Sequence, residues 1–296
     1  MYTYKCYKYP SVILHEYYFK GNYGAKGEKR QPRRNFTPEQ IKEHNRRHKA
    51  KTVQLLILEN FKEGDYYTTL TYLRGTRKPI SEVNRDFKLF INALRRAYKK
   101  RGEELKFIYR LEIGSKGAPH IHIIVNRIQD TDVLIVEKWK YGHSHNMLLN
   151  SEDPTFRQLA EYITKPPQEE AIEILKSVGD SEDLTKLVRY SCSRNLKRPT
   201  PEVKTYRNRK MNKIFNNDLQ PTPGYYIDKD EQTLRRGVNP YTGWSYLTYT
   251  EIRLTKGFTA DPVKLCECPH CHQFTIDEFG CDCLTRKIRK RRARYG

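Results

Sequence analysis

The chain has no run approaching the roughly 18 consecutive apolar residues that a bilayer-spanning helix needs. Its first ten residues, Met1 to Pro10, alternate Tyr and Lys where a signal peptide requires an apolar stretch. Together these absences predict a protein of the cytoplasm with no membrane partner. A Gly-x-x-x-x-Gly-Lys-Ser/Thr phosphate loop is also missing, so no ATPase or helicase of its own is expected. Acidic residues are scarce beside basic ones, 35 Asp and Glu against 56 Lys and Arg, which leaves a formal net charge of +21. A soluble protein this basic repels itself unless an anion answers it. Nucleic acid is the first candidate and an anionic membrane surface a distant second.

The 22 tyrosines sharpen that expectation, because aromatic rings interleaved with Lys and Arg suit a groove where bases stack and phosphates are neutralised. Many of them are also good strand and core residues. Seven cysteines are present, five of them between Cys266 and Cys283, and a reducing cytosol makes metal binding a better reading of that cluster than disulfides.

The 296 residues divide by pattern into four parts. Residues 1–50 read as a basic arm followed by a helix start at Thr37-Pro38-Glu39. Residues 51–200 carry the clearest periodicity and are taken as the core domain. Val53 to Leu58 is assigned to helix and Tyr66 to Leu73 to strand. Beyond Pro79, with Ser81 as candidate cap, Val83, Phe87, Phe90, Ile91, Leu94 and Tyr98 recur at helical spacing, and Gly102 ends the run. Two strands, 107–113 and 120–126, flank the turn Gly114-Ser115-Lys116-Gly117-Ala118-Pro119, which suits a hairpin. Residues 141–149 form a weaker strand or loop, and 154–165 a short helix halted by Pro166-Pro167. Residues 201–262 give little signal. Residues 263–296 hold the cysteines and a tail, Arg286 to Arg294, that reads as a phosphate-binding arm through Arg289, Arg291 and Arg292.

Successive odd or even side chains of a strand share one face, so His120 and His122 can offer two imidazoles to one divalent ion while Ile121 and Ile123 pack behind. Glu112, on the preceding strand of the same hairpin, is placed to add a carboxylate. A mixed imidazole and carboxylate set with open positions suits Mn²⁺ or Mg²⁺. Helical spacing would put Tyr162 and Lys165 on one face. A free phenol titrates near about 10, so attack on phosphorus at neutral pH needs a nearby cation or a metal. His143-Ser144-His145 is a rival histidine pair and Tyr190 a rival nucleophile, although Arg189, Arg194 and Lys197 around Tyr190 also suit a DNA channel. Cys268, Cys271, Cys281 and Cys283 form two close thiolate pairs, the pattern of a structural Zn²⁺ site, with Cys266 and His272 as substitutes.

The ordered set Tyr67-Thr68-Thr69-Leu70-Thr71-Tyr72, His120-Ile121-His122 and Tyr162-Ile163-Thr164-Lys165 resembles motifs one to three of rolling-circle replication initiators of the His-hydrophobe-His (HUH) endonuclease class. The likeness is to the gene-II-type replication-associated proteins of filamentous phages and small plasmids, over roughly residues 50–200. It implies an α+β fold, a central antiparallel sheet with flanking helices in a ferredoxin-like arrangement, to which the C-terminal zinc segment is added. It also implies metal ligation by Glu112, His120 and His122, a nucleophile at Tyr162 and an electrostatic partner at Lys165. The expected substrate is single-stranded DNA at a replication origin, in a bacterial host whose helicase and polymerase complete the replication. Many gene-II-type proteins carry a second tyrosine in motif three. Here Lys165 and Pro166 stand instead, so a one-tyrosine mechanism is expected. Two other readings remain open: an HUH transposase or relaxase, and a zinc-ribbon nucleic-acid-binding protein without catalysis.

Overall fold

A computed structural model describes residues 1–19, 37–114, 117–149, 153–167, 173, 189–216, 218–239 and 244–254, together with the backbone of 266–267 and 274–275. It forms two compact units, Met1–Arg253 and Leu254–Gly296. In the second, the described backbone is one antiparallel pair, β12 (Cys266–Glu267) with β13 (Phe274–Thr275). The zinc candidates Cys268, Cys271, Cys281 and Cys283, and the tail residues Arg289, Arg291 and Arg292, lie outside the described residues. Among the described residues no helix is long and apolar enough to cross a membrane.

The first unit is α+β, with antiparallel sheets and flanking helices. Helix α1 (Pro38–Asn60) starts where the sequence signals it: Oγ1 of Thr37 accepts from the Gln40 amide at 3.3 Å, and Oε1 of Gln40 accepts from the Thr37 amide at 3.2 Å. Its first half is exposed, and Val53 to Leu58 are buried. Strand β3 (Tyr66–Thr71) leads to α2 (Ile80–Lys100), whose predicted apolar stripe is buried in full. The cap expected at Ser81 is not used. Pro79 takes the N-cap position without a side-chain bond, because helical geometry begins before Ser81. Strands β4 (Phe107–Ile113) and β5 (Pro119–Val125) form the expected hairpin. Helix α3 (Thr131–Lys138), which local pattern did not suggest, precedes β6 (Ser144–Leu148) and α4 (Arg157–Thr164).

These strands and β7 (Ser191–Cys192) make a sheet in the order β6-β3-β5-β4-β7, antiparallel throughout. Alternation assigns its two faces. Leu70, Leu111, Ile121, Ile123 and Val125 pack with the apolar stripe of α2 and with Leu134 and Ile135 of α3. Ile108 and Ile124 pack on the other side with Val53 to Leu58 of α1 and with Ala160 and Ile163 of α4. The candidate residues sit on this second face.

Residues 2–19, expected as part of an arm, are instead two strands, β1 (Tyr2–Lys8) and β2 (Val12–Phe19). They are the middle of a second sheet, β10-β11-β2-β1-β8, with β9 also on β11. Its other strands are β8 (Glu202–Tyr206), β9 (Tyr225–Ile227), β10 (Arg235–Val238) and β11 (Ser245–Arg253), all in the stretch that gave little signal. Strand β2 serves two cores: Val12 and Leu14 join the α1 side, while Ile13 and Tyr17 join Tyr2, Tyr4, Leu247 and Tyr249 beneath Met211 of helix α5 (Asn208–Asn216).

Candidate active site

Register alone brings the motif residues together. On the α1 and α4 face, Thr71, His120 and Glu112 form one row across β3, β5 and β4, and Thr69, His122 and Arg110 form the next. Helix α4 lays Tyr162 over them. Its ring meets His122 edge to face at 5.2 Å between centroids, and its hydroxyl stands 3.4 Å from both Nε2 of His122 and Oε2 of Glu112.

His122 is held from behind. Its side chain is buried, and Nδ1 is bonded to the Tyr67 hydroxyl at 2.9 Å and the Thr69 hydroxyl at 3.2 Å. Both partners are hydroxyls, which donate or accept as required. The ring can therefore keep its proton on Nε2 and donate to Glu112, or move it to Nδ1 and free the Nε2 lone pair for a ligand, without turning. Nε2 lies 2.9 Å from Oε2 of Glu112. That bond holds the Glu112 carboxyl below the usual carboxylate range against the opposing effect of burial. Burial, and then the neighbouring His122, lower the pKa of His120.

The spacing of His122 and Glu112 fits two neighbouring ligands of a hard divalent ion. Two ligands side by side on an octahedral ion, each about 2.1 Å from it, stand about 3 Å apart, which matches the 2.9 Å between His122 and Glu112. His120 lies on the same face, opposite Glu112 in register. Among the described residues no three His, Cys, Asp or Glu side chains are already grouped as a metal site.

Tyr162 is 43% exposed, so the core does not fix its ring. Burial of the hydroxyl, and then the charge of Glu112, raise its pKa above that of a free phenol. The phenol thus stays protonated until positive charge arrives nearby. The backbone beneath it is fixed by Arg110, whose guanidinium is almost fully buried and donates through Nη1 to the carbonyls of Tyr162, at 3.0 Å, and Ile163, at 3.3 Å. The last carbonyls of a helix have no partner within it, and a cation there also opposes the helix dipole. Sequence reading did not single out Arg110 or the separate roles of Tyr67 and Thr69. A charged residue two positions before Glu112, on an inward strand face, was the available signal for Arg110.

Lys165 is the C-cap of α4. The helix ends at Thr164, and Lys165 is extended at φ −53° and ψ 137°, because Pro166 clashes with a helical residue before it. Its side chain is exposed, and its amide donates to the Tyr162 carbonyl at 3.2 Å. Tyr190 is half-buried against the α1-side core, 6.0 Å from Nζ of Lys49 to its ring centroid. Arg189, Arg194 and Lys197 are exposed near the β7 edge. His145 pairs with Thr69, and the amide and carbonyl of His143 both bond Thr71, so the rival histidines lie one strand beyond β3 and are exposed.

No curated protein and no solved structure matches this chain. Residues 65–167, about a third of the sequence and the segment that holds Tyr67, Arg110, Glu112, His120, His122 and Tyr162, match the family model of the replication-associated proteins of the ORF2 and gene II type, in agreement with the resemblance of the three motifs.

Proposed function

We propose that this protein is a rolling-circle replication initiator of the HUH class, which nicks single-stranded origin DNA with Tyr162 and later rejoins it. The observation that carries the reading is the meeting of one tyrosine hydroxyl with a His and a Glu, 3.4 Å from each, inside the segment that matches a replication-associated family. A phenol placed against two metal-binding side chains is an economical arrangement for phosphoryl transfer and has no evident structural purpose at a 43% exposed position.

Glu112, His120 and His122 would hold Mn²⁺ or Mg²⁺, which when bound supplies positive charge to a scissile phosphate and to the phenol. Tyr67 and Thr69 orient His122, and Arg110 orients the backbone of Tyr162. Oη of Tyr162 loses its proton to solvent or to Glu112 and forms the new bond to phosphorus. The bond from phosphorus to the 3′ oxygen breaks, and that oxygen takes a proton to become a free 3′ hydroxyl. The 5′ end remains on the protein as a phosphotyrosine, and the reverse attack by a 3′ hydroxyl religates the strand without ATP. Arg189, Arg194 and Lys197 at the β7 edge, with Arg289, Arg291 and Arg292 of the tail, contribute phosphate contacts that fix the strand without reading its sequence. A structural Zn²⁺ at Cys268, Cys271, Cys281 and Cys283 would stabilise the C-terminal segment. The setting is the cytoplasm of a bacterial host whose helicase and polymerase extend the 3′ end.

Incubation with circular single-stranded DNA and Mn²⁺ tests the reading. A protein-DNA adduct resistant to denaturant is expected. Absence of nicking with every divalent ion tried would set the proposal aside in favour of DNA binding alone.

A further inference from the structure

Helix α4 has only one buried stripe, Ala160, Ile163 and Thr164, and its N-cap, Phe156, is left-handed with no side-chain cap bond. Arg110 grips the C-terminal end from the five-stranded sheet. The N-terminal end is held by the residues just before it, where the Gln158 amide donates to Oδ2 of Asp153 at 3.1 Å and the Arg157 amide to Oγ1 of Thr155 at 3.2 Å, and also from far along the chain. Nη2 of Arg157 donates to Oδ2 of Asp230 at 2.6 Å, and Nη1 donates to Oε1 of Gln232 and to Oε1 of Glu161, the last at 3.3 Å. Asp230 and Gln232 belong to the connection between β9 and β10 of the second sheet, more than sixty residues away in sequence. That connection is itself set: the Asp230 amide donates to Asp228 at 3.1 Å, Oδ1 of Asp230 accepts from the Gln232 amide at 2.8 Å, and the Thr233 hydroxyl donates to the Asp230 carbonyl at 2.9 Å. Both oxygens of Asp230 are therefore used, one to shape the turn and one to hold α4.

We infer that Arg157 is a positioning residue for Tyr162, and that the turn at residues 228–232 of the second sheet is the fixed point against which α4 is aligned. The inference rests on the proposed role of Tyr162 and extends it by giving the region after residue 200 a part in the reaction. The physical case is one of leverage. Tyr162 is 43% exposed, so its aim follows the helix backbone, and the direction of a helix of eight residues depends on what holds each of its ends. The guanidinium fork supplies a directional restraint at the other end, through Asp230 and Gln232 outside the helix and Glu161 within it. In-line attack tolerates little misplacement, about 1 Å being enough to cost up to 100-fold in rate.

The test uses the full chain and the variants Arg157→Ala, Arg157→Lys, Asp230→Ala and the double alanine. Hydrogen–deuterium exchange over residues 157–164 reports the helix directly. Anisotropy with a labelled single-stranded oligonucleotide reports affinity, and the rate of adduct formation at saturating oligonucleotide reports the aligned state. Arg157→Ala and Asp230→Ala should each speed exchange in α4 and slow adduct formation about ten-fold with affinity unchanged. Arg157→Lys should recover part of the rate, and the double variant should be no worse than either single one. Unchanged exchange in Asp230→Ala, or additive losses in the double variant, would overturn the inference. If the parent forms no adduct at all, the fault lies with the proposed reaction, and the exchange measurements still decide whether the 228–232 turn holds the helix.

Discussion

Tyr67 and His122 are joined by a hydrogen bond of 2.9 Å from the phenol oxygen to Nδ1, with their rings 6.0 Å apart and within 4° of parallel. The pair sits between the sheet and the open site. It fixes the direction in which Nε2 points without engaging it.

Tyr67→Phe keeps the ring and removes that bond, leaving Thr69 as the remaining partner at 3.2 Å. Loss of such an outer contact commonly weakens metal binding about 10- to 100-fold. The Mn²⁺ concentration for half-maximal nicking should therefore rise about ten-fold with the maximal rate little changed. An unaltered Mn²⁺ dependence would mean that Tyr67 is a packing residue only.

Arg110→Met replaces a buried guanidinium with an apolar chain and leaves the Ile163 carbonyl without its donor, while that of Tyr162 keeps only the Lys165 amide at 3.2 Å. A buried acceptor left unmade costs about 1–3 kcal/mol. Urea denaturation should show a loss of about 2 kcal/mol, and adduct formation should fall with it. No change in stability would show that the helix end finds other partners.

His120→Ala and His122→Ala should each lose nicking while DNA binding persists, since the proposed phosphate contacts lie elsewhere. His143→Ala should nick normally, because its strand lies beyond β3 and its backbone makes the contacts with Thr71. Nicking retained in both of the first two and lost in the third would transfer the site to the rival pair.

The sequence was most legible where structure is local. The stripe of α2 and the β4–β5 hairpin lie within single uninterrupted patterns, and the hairpin carries Glu112, His120 and His122 to one face by alternation alone. Strands β1 and β2 were missed although Tyr2, Tyr4 and Cys6 alternate with Thr3, Lys5 and Tyr7, which is strand periodicity. Tyrosine and lysine read as polar there. The partners that bury them, residues 202–206 and 245–253, are some two hundred residues away. Long-range pairing of this kind leaves no local mark. Arg110 was missed for a related reason: its partners are carbonyls of a helix fifty residues on. The end of α4 was legible as well, since Pro166-Pro167 halts the helix and Lys165, the residue before proline, is its C-cap.

The two cysteine pairs predict about one tightly held zinc per chain, distinct from the exchangeable ion proposed at Glu112, His120 and His122. Metal analysis of the Cys268→Ser and Cys271→Ser double variant should show that zinc lost. An undiminished zinc content would place the ligands elsewhere.

Tyr162→Phe keeps the edge-to-face contact with His122 and removes only the oxygen that stands 3.4 Å from His122 and Glu112. This variant should fold and bind single-stranded DNA as the parent does, yet form no covalent adduct, whereas Tyr190→Phe should still form one. Peptide mapping of the adduct trapped on the parent protein is the most direct measurement. The account predicts a nucleotide on the peptide that contains Tyr162; a nucleotide on the Tyr190 peptide, or an adduct that survives Tyr162→Phe, would contradict it.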